Sequence, residues 1–206
     1  MLARGKKSKG GNEKTNHVKV TIGNLVQILS PLKSTHQVGI IGSLNNMHIW
    51  TLENWKNNLP PELERRAGIR FRYDPTVDPE VRRALMQFSK WLRKEYIFPL
   101  RIQVYVKGTP TVRAKDGDMV AGLFFEPEVY SWEPYILIAT GDYDDLCQKN
   151  GKDNALASIL STLCHELTHY YQWINGIALT DIGMERQAAR YASYILSEYA
   201  ETCEHP

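Results

Sequence analysis

The stretch Ser161-Thr-Leu-Cys-His-Glu-Leu-Thr-His-Tyr-Tyr171 lies inside a longer run, Asp153 to about Asn175, with a helical rhythm. Leu156, Ile159, Leu160, Leu163, Leu167, Tyr170 and Ile174 recur at steps of three and four, which predicts one apolar stripe on an α-helix. Gly176 follows the run, where a helix commonly stops. His165 and His169 fall off that stripe. They are four residues apart, so a helix stacks them on one face.

Working upstream, the chain punctuates itself into strands. Leu100 to Lys107, Met119 to Glu126 and Tyr135 to Thr140 are rich in β-branched and aromatic residues, with Gly, Asp and Pro in the gaps between them. The third run is apolar throughout, as a strand covered on both faces would be. Before them, Asp78-Pro79 combines a capping carboxylate with a proline at the first helical position. A helix is predicted from there to about Tyr96, with Val81, Leu85, Phe88, Trp91 and Leu92 as its buried face and Pro99 beyond its end. Downstream, a last helix is expected from about Asp181 to Thr202. The order helix, three strands, helix, helix specifies an α+β domain.

The first third reads differently. A short helix is expected to begin at Thr21, with Leu25, Ile28, Leu29 and Leu32 on one face, and a strand at Gln37 to Ile41. The segment Leu44 to Asn58 has no clear periodicity, and Pro60-Pro61 opens an expected linker that ends near Asp78. This divides the chain into a tail (1–17), an N-terminal α/β extension (18–77) and a main domain (78–206).

His165-Glu166-Leu167-Thr168-His169 is an H-E-x-x-H motif. Two imidazoles one helical turn apart can share one ion, and zinc accepts such nitrogens at about 2.0–2.1 Å. Glu166, one step round the helix, would stand beside the ion without ligating it. A bound zinc lowers the pKa of a water, and a neighbouring carboxylate can take its proton as the water attacks a carbonyl. The alternative is two unremarked histidines on an ordinary helix surface.

A catalytic zinc needs a third protein ligand. Only His205 follows His169, and it lies at the chain end. In H-E-x-x-H-x-x-G-x-x-H the Gly and His would fall on Gln172 and Asn175, so that pattern fails. Glu185 is the best candidate, in the first turn of the last helix. Ala188 and Ala189 lie beside it and would let that helix come close. Glu185 could instead be a carboxylate favoured by the helix dipole. Asp181 is the rival ligand, and reads more readily as the N-cap.

With Glu185-x-x-Ala188 on the next helix, the motif resembles the gluzincin branch of zinc metallopeptidases. Residues 78–202 are similar to their minimal core: a backing helix, a small three-stranded or larger mixed sheet, the H-E-x-x-H helix and a glutamate helix. Within that branch, Glu185-x-x-Ala-x-x-Tyr-Ala most resembles the ImmA/IrrE-like peptidases, although the sixteen-residue spacing from His169 is shorter than usual there. SprT-type proteases resemble the His165–His169 helix but use a third histidine that this chain lacks.

The resemblance implies a zinc-dependent endopeptidase rather than an exopeptidase, with one Zn2+ held by His165, His169 and Glu185 and with Glu166 as base. It also implies that an edge strand at Val120–Phe125 pairs with an extended peptide. Gly122, Leu123 and Phe124 are the expected substrate contacts. An ordinary core strand with a bulge at Gly122 is an equal reading. Tyr170, Tyr171, Tyr191 and Tyr194 are candidates to stabilise an oxyanion, although each also fits a packed core. Cys164 points away from the His165–His169 face and reads as a small buried residue.

Composition sets the remaining limits. With 206 residues, 43% of them hydrophobic, the chain can build a core without disulfides, and three cysteines at wide spacing imply none. Residues 1–14 carry five basic residues against Glu13, a net of +4, whereas the chain totals +2, so residues 15–206 sum to −2. Such a tail reads as solubilising rather than as a nucleic-acid arm, because so few charges bind only weakly. No apolar run follows the basic N-terminus and none is long enough to span a membrane, so a cytoplasmic location is expected. The partners expected are a protein or peptide substrate and, through residues 18–77, a partner protein. Two other readings keep some of these features: a catalytically silent, zinc-stabilised binding module, and a DNA-associated protein using the tail.

Overall fold

A computed structural model describes residues 48–202. The tail, the helix expected from Thr21, the strand expected at Gln37 to Ile41, and His205 lie outside those residues. The fold is mixed α+β, and its elements follow from local chemistry in chain order.

A 3-10 turn at Ile49–Thr51 and the one-turn helix α1 (Trp55–Asn58) open the described chain. The expected linker then proves to be structured. Pro61–Arg66 forms a 3-10 helix and Ile69–Tyr73 forms strand β1. In β1 the apolar and charged residues of Ile-Arg-Phe-Arg-Tyr alternate with the pleat, so one face can bury while the other meets solvent. Helix α2 (Pro79–Glu95) starts as its sequence dictates. The Asp78 carboxylate accepts from the backbone N–H groups of Glu80 at 2.7 Å and Val81 at 3.4 Å. Val81, Leu85, Phe88 and Leu92 are fully buried along one side, each worth about 1.5–3 kcal/mol of transfer free energy.

Strand β2 (Ile102–Lys107) follows. The next expected strand is divided at Ala121. Met119–Val120 (β4) pairs with β3 (Val112–Arg113) in a separate ribbon, while Gly122–Phe125 (β5) joins the main sheet. β6 (Tyr135–Ala139) completes that sheet, in the order β1-β2-β6-β5. β1, β2 and β6 are mutually parallel, and β5 runs antiparallel along the edge. Helix α3 (Tyr143–Asn150), absent from the sequence reading, is separated from α4 (Lys152–Ile174) by Gly151 at φ +80°. Glycine tolerates that left-handed backbone, so the chain can end one helix and start another there. α5 (Asp181–Thr202) returns alongside α4, and among the described residues no other pair of elements touches as extensively. Its cap is Thr180 rather than Asp181. Thr180 Oγ1 accepts from the Gly183 N–H at 3.2 Å.

One core joins all of this. Ile49, Trp50, Leu59 and Ile69 belong to the same buried cluster as Leu85, Ile136, Leu163 and Ile195. Residues 48–77 therefore contribute to the same core as residues 78–202. Trp50 shows how closely. Its Nε1 donates at 3.1 Å to Thr168 Oγ1, inside the H-E-x-x-H motif, and its ring stacks on Tyr171. No helix among the described residues is long and apolar enough to cross a membrane.

Candidate metal centre

The middle of α4 carries His165, Glu166 and His169, with Glu166 against β5 and the two histidines against α5. The approach of α5 depends on small side chains, as its sequence suggested. Ala188, one of the two alanines expected there, is buried at the contact together with Ala192, with Ile195 a turn further on, while Ala189 is only partly buried. Glu185 is thereby carried to the two imidazoles. His165 Nε2 lies 3.2 Å from one carboxylate oxygen of Glu185, and His169 Nε2 lies 3.2 Å from the other. The two Nε2 atoms are 3.1 Å apart. Among the described residues these three side chains form the group able to hold a metal ion, with ligand atoms all within 4.8 Å of one another. Asp181, the rival, is not among them.

The donor set can be tested against coordination geometry. Ligand atoms at about 2.0–2.1 Å around a tetrahedral centre lie about 3.3 Å apart, close to the 3.1–3.2 Å separations here. Two imidazole nitrogens and a carboxylate suit a divalent transition-metal ion. All three groups face one another with lone-pair-bearing atoms, so protons or a cation must occupy the space between them. The fit has one shortfall: His165 Nδ1 is buried without a hydrogen-bond partner among the described residues.

The same balance appears in the pKa shifts of the site. Burial alone would raise the Glu185 carboxyl, but hydrogen bonds and charge from His165 and His169 hold it down at about 2. For His169, burial lowers the pKa and is outweighed by the Glu185 and Glu166 carboxylates, so the net shift is upward. Glu166 is a carboxyl kept in a dry place. Burial raises its pKa, and although the two histidines and the Phe124 backbone N–H pull it down, the shift remains upward.

Glu166 is only 8% exposed and His165 4%. The side chain of Glu166 lies against Gly122 on β5. A Cβ at Gly122 would meet Thr162 Cγ2 at 2.7 Å, Glu166 Oε1 at 2.8 Å and Glu166 Cγ at 2.9 Å. Gly122 was expected to make room for a substrate backbone. In the fold it makes room for Glu166 and Thr162. Leu123 and Phe124 follow it on the edge strand, and the Phe124 ring packs against Tyr170 and Trp173. Ala121 C=O accepts from the Ala139 N–H at 2.8 Å, so strict antiparallel alternation turns the backbone groups of Gly122 and Phe124 toward the open edge. The Phe124 N–H is directed to Glu166.

None of the four tyrosines considered for oxyanion stabilisation is held at the centre. Tyr170 OH donates to Leu100 C=O at 2.7 Å, Tyr171 OH to Ile97 C=O at 2.9 Å and Tyr194 OH to Glu198 at 2.8 Å. Tyr191 OH accepts from the Ile49 N–H at 3.0 Å. The hydroxyls of Tyr170, Tyr171 and Tyr191 tie separate segments together, because a phenol withdrawn from water must find a partner, whereas exposed Tyr194 bonds one turn along its own helix. Cys164 is fully buried, and burial pushes its thiol well up, as an inert packing residue requires. A residue that the sequence reading passed over is Gln172, which is fully buried with its Oε1 2.7 Å from His169 Nδ1. Its only sequence signal is a polar residue one turn beyond a candidate ligand on the same face.

Compared with protein-family models, with curated proteins and with solved structures, the chain matches none of them.

Proposed function

We propose that the protein is a zinc-dependent peptidase of the gluzincin type, with a zincin-like core. In this reading His165, His169 and Glu185 hold one Zn2+, and Glu166 is the base. The observation that carries it is the convergence of Glu185 from a separate helix onto both imidazoles of the H-E-x-x-H motif, at 3.2 Å each. A helical surface with two incidental histidines gives no reason for a third ligand to be brought there.

A bound zinc would supply Lewis acidity, lowering the pKa of water and polarising a peptide carbonyl. The chain supplies the rest. Glu166, held against Gly122 with a raised pKa, takes a proton from the attacking water and returns it to the leaving amine nitrogen. The N–H of Phe124 keeps its carboxylate oriented. The edge of β5, which pairs with no further strand among the described residues, offers a register for an extended peptide, with Leu123 among the side chains along it.

Replacing Glu166 by Gln tests this directly. The variant should keep one equivalent of zinc and the fold, while hydrolysis of an unstructured protein such as casein drops at least about 100-fold. Hydrolysis at the wild-type rate would sink the assignment. The deep burial of His165 and Glu166 favours one alternative, a zinc-stabilised binding module without turnover. Wild-type protein that binds zinc, melts higher with it and cleaves nothing would be the result expected from that alternative.

A further inference from the structure

The Gln172 amide can be oriented from its neighbours alone. Its Nε2 lies 3.0 Å from Met184 C=O and 3.0 Å from Gln187 Oε1. A backbone carbonyl can only accept, so the group facing it must be the NH2, and Oε1 therefore faces His169. An amide oxygen also only accepts, so the His169 Nδ1 atom 2.7 Å away must carry a proton. In the neutral ring Nε2 then has its lone pair free, aimed at His165 and Glu185.

We infer that Gln172 is a positioning residue that sets His169 in the Nδ1–H tautomer. Through the same amide it fastens the turn of α5 that carries Glu185, at the carbonyl of the preceding residue, Met184. One fully buried side chain thus fixes the second imidazole and the carboxylate relative to each other across two helices. The physical reason is economy of constraint. An imidazole with an unpartnered Nδ1 could place its proton on either nitrogen, and the Nε2–H form cannot ligate through Nε2. The metal-binding consequence rests on the proposed zinc centre, whereas the tautomer does not.

The test uses the full chain and two readouts: 15N shifts of the His169 ring in metal-free protein at a pH where the ring is neutral, and zinc affinity by chelator competition. The wild type should show Nδ1–H. Gln172→Met keeps the volume and removes all three bonds, so it should mix the tautomers and weaken zinc binding about 10–100-fold. Gln172→Glu keeps an acceptor for Nδ1 and loses the donor to α5. It should retain the tautomer and bind zinc more tightly than the Met variant. Gln187→Ala, which touches only the far side of the amide, should leave the tautomer and zinc affinity unchanged. An Nε2–H ring in the wild type overturns the inference, as does wild-type affinity in Gln172→Met. Equal losses in the Met and Glu variants overturn the tautomer role. A wild type that binds no zinc sinks the proposed function instead, and the ring shifts still decide the tautomer.

Discussion

Gly122→Ala adds one methyl group at the point where the edge strand meets the candidate base. The new Cβ would lie 2.7 Å from Thr162 Cγ2, 2.8 Å from Glu166 Oε1 and 2.9 Å from Glu166 Cγ. Ordinary contact needs about 3.4 Å, so neighbours must retreat by about 0.5–0.7 Å. Thr162 is fixed in the middle of α4, and the Glu166 carboxylate is the movable end. Moving it breaks its bond from the Phe124 N–H and displaces it from the place where a proton would be taken. Overpacking of this kind costs about 1–3 kcal/mol, or a fall in melting temperature of about 2–12 °C for a chain of this size. A catalytic group displaced by a fraction of an ångström to one ångström loses up to about 100-fold in rate. The expected outcome is therefore a folded variant with a lower melting temperature, near-normal zinc content and casein hydrolysis reduced about 10–100-fold. Zinc content separates the candidate base from the candidate ligands, because the three atoms nearest the added methyl belong to Thr162 and Glu166. A variant with the melting temperature and activity of the wild type would refute the reasoning, since it would mean that Glu166 does not occupy the space against Gly122.

Zinc at about 100 times its dissociation constant should stabilise the native protein by about 2.7 kcal/mol, raising the melting temperature by about 5–10 °C. Chelation or Glu185→Ala should remove that increment, and an increment surviving in Glu185→Ala would exclude Glu185 as a ligand. The metal-free protein should show a bounded pH window. A carboxyl depressed from 4.5 to about 2 stabilises the fold above the unfolded value, a contribution lost as pH falls toward 2. An imidazole raised from 6.5 stabilises it below 6.5, a contribution lost as pH climbs through the folded value. The stability difference between metal-free wild type and Glu185→Gln should thus peak between pH 4.5 and 6.5, and a difference independent of pH would contradict the coupling. Thr168→Val leaves the buried Trp50 Nε1 without its acceptor and should cost about 1–3 kcal/mol in urea unfolding while zinc stoichiometry stays at one. A cost below about 0.5 kcal/mol would mean that Trp50 does not brace the motif helix.

Much of the scaffold was legible because its signals are local. The Asp78-Pro79 start, the stripe from Leu156 to Ile174 and the extent of α5 are properties of consecutive residues, and the helices observed match those readings to within a residue or two. Strand β1 was missed although Ile-Arg-Phe-Arg-Tyr alternates with period two, because the prolines before it drew the whole segment into a linker. The division at Ala121 was invisible for a different reason. A strand-like run does not record which partner each half will pair with. Helix α3 carries few buried residues, Tyr143 and Leu146, so its stripe is too short to stand out.

The candidate site divides along the same line. By itself the sequence determined that His165 and His169 share a face and that Glu166 is their neighbour, because a helix of fixed pitch leaves no other arrangement. It narrowed the third group to Glu185 over Asp181 without deciding between ligand and dipole partner. Only the tertiary structure decided the distance from that carboxylate to the rings, the need for Gly122 beside Glu166, the engagement of Tyr170, Tyr171 and Tyr191 elsewhere and the orientation of Gln172. Each of these depends on how separate elements pack, and packing is set by the whole core at once rather than by any stretch of consecutive residues.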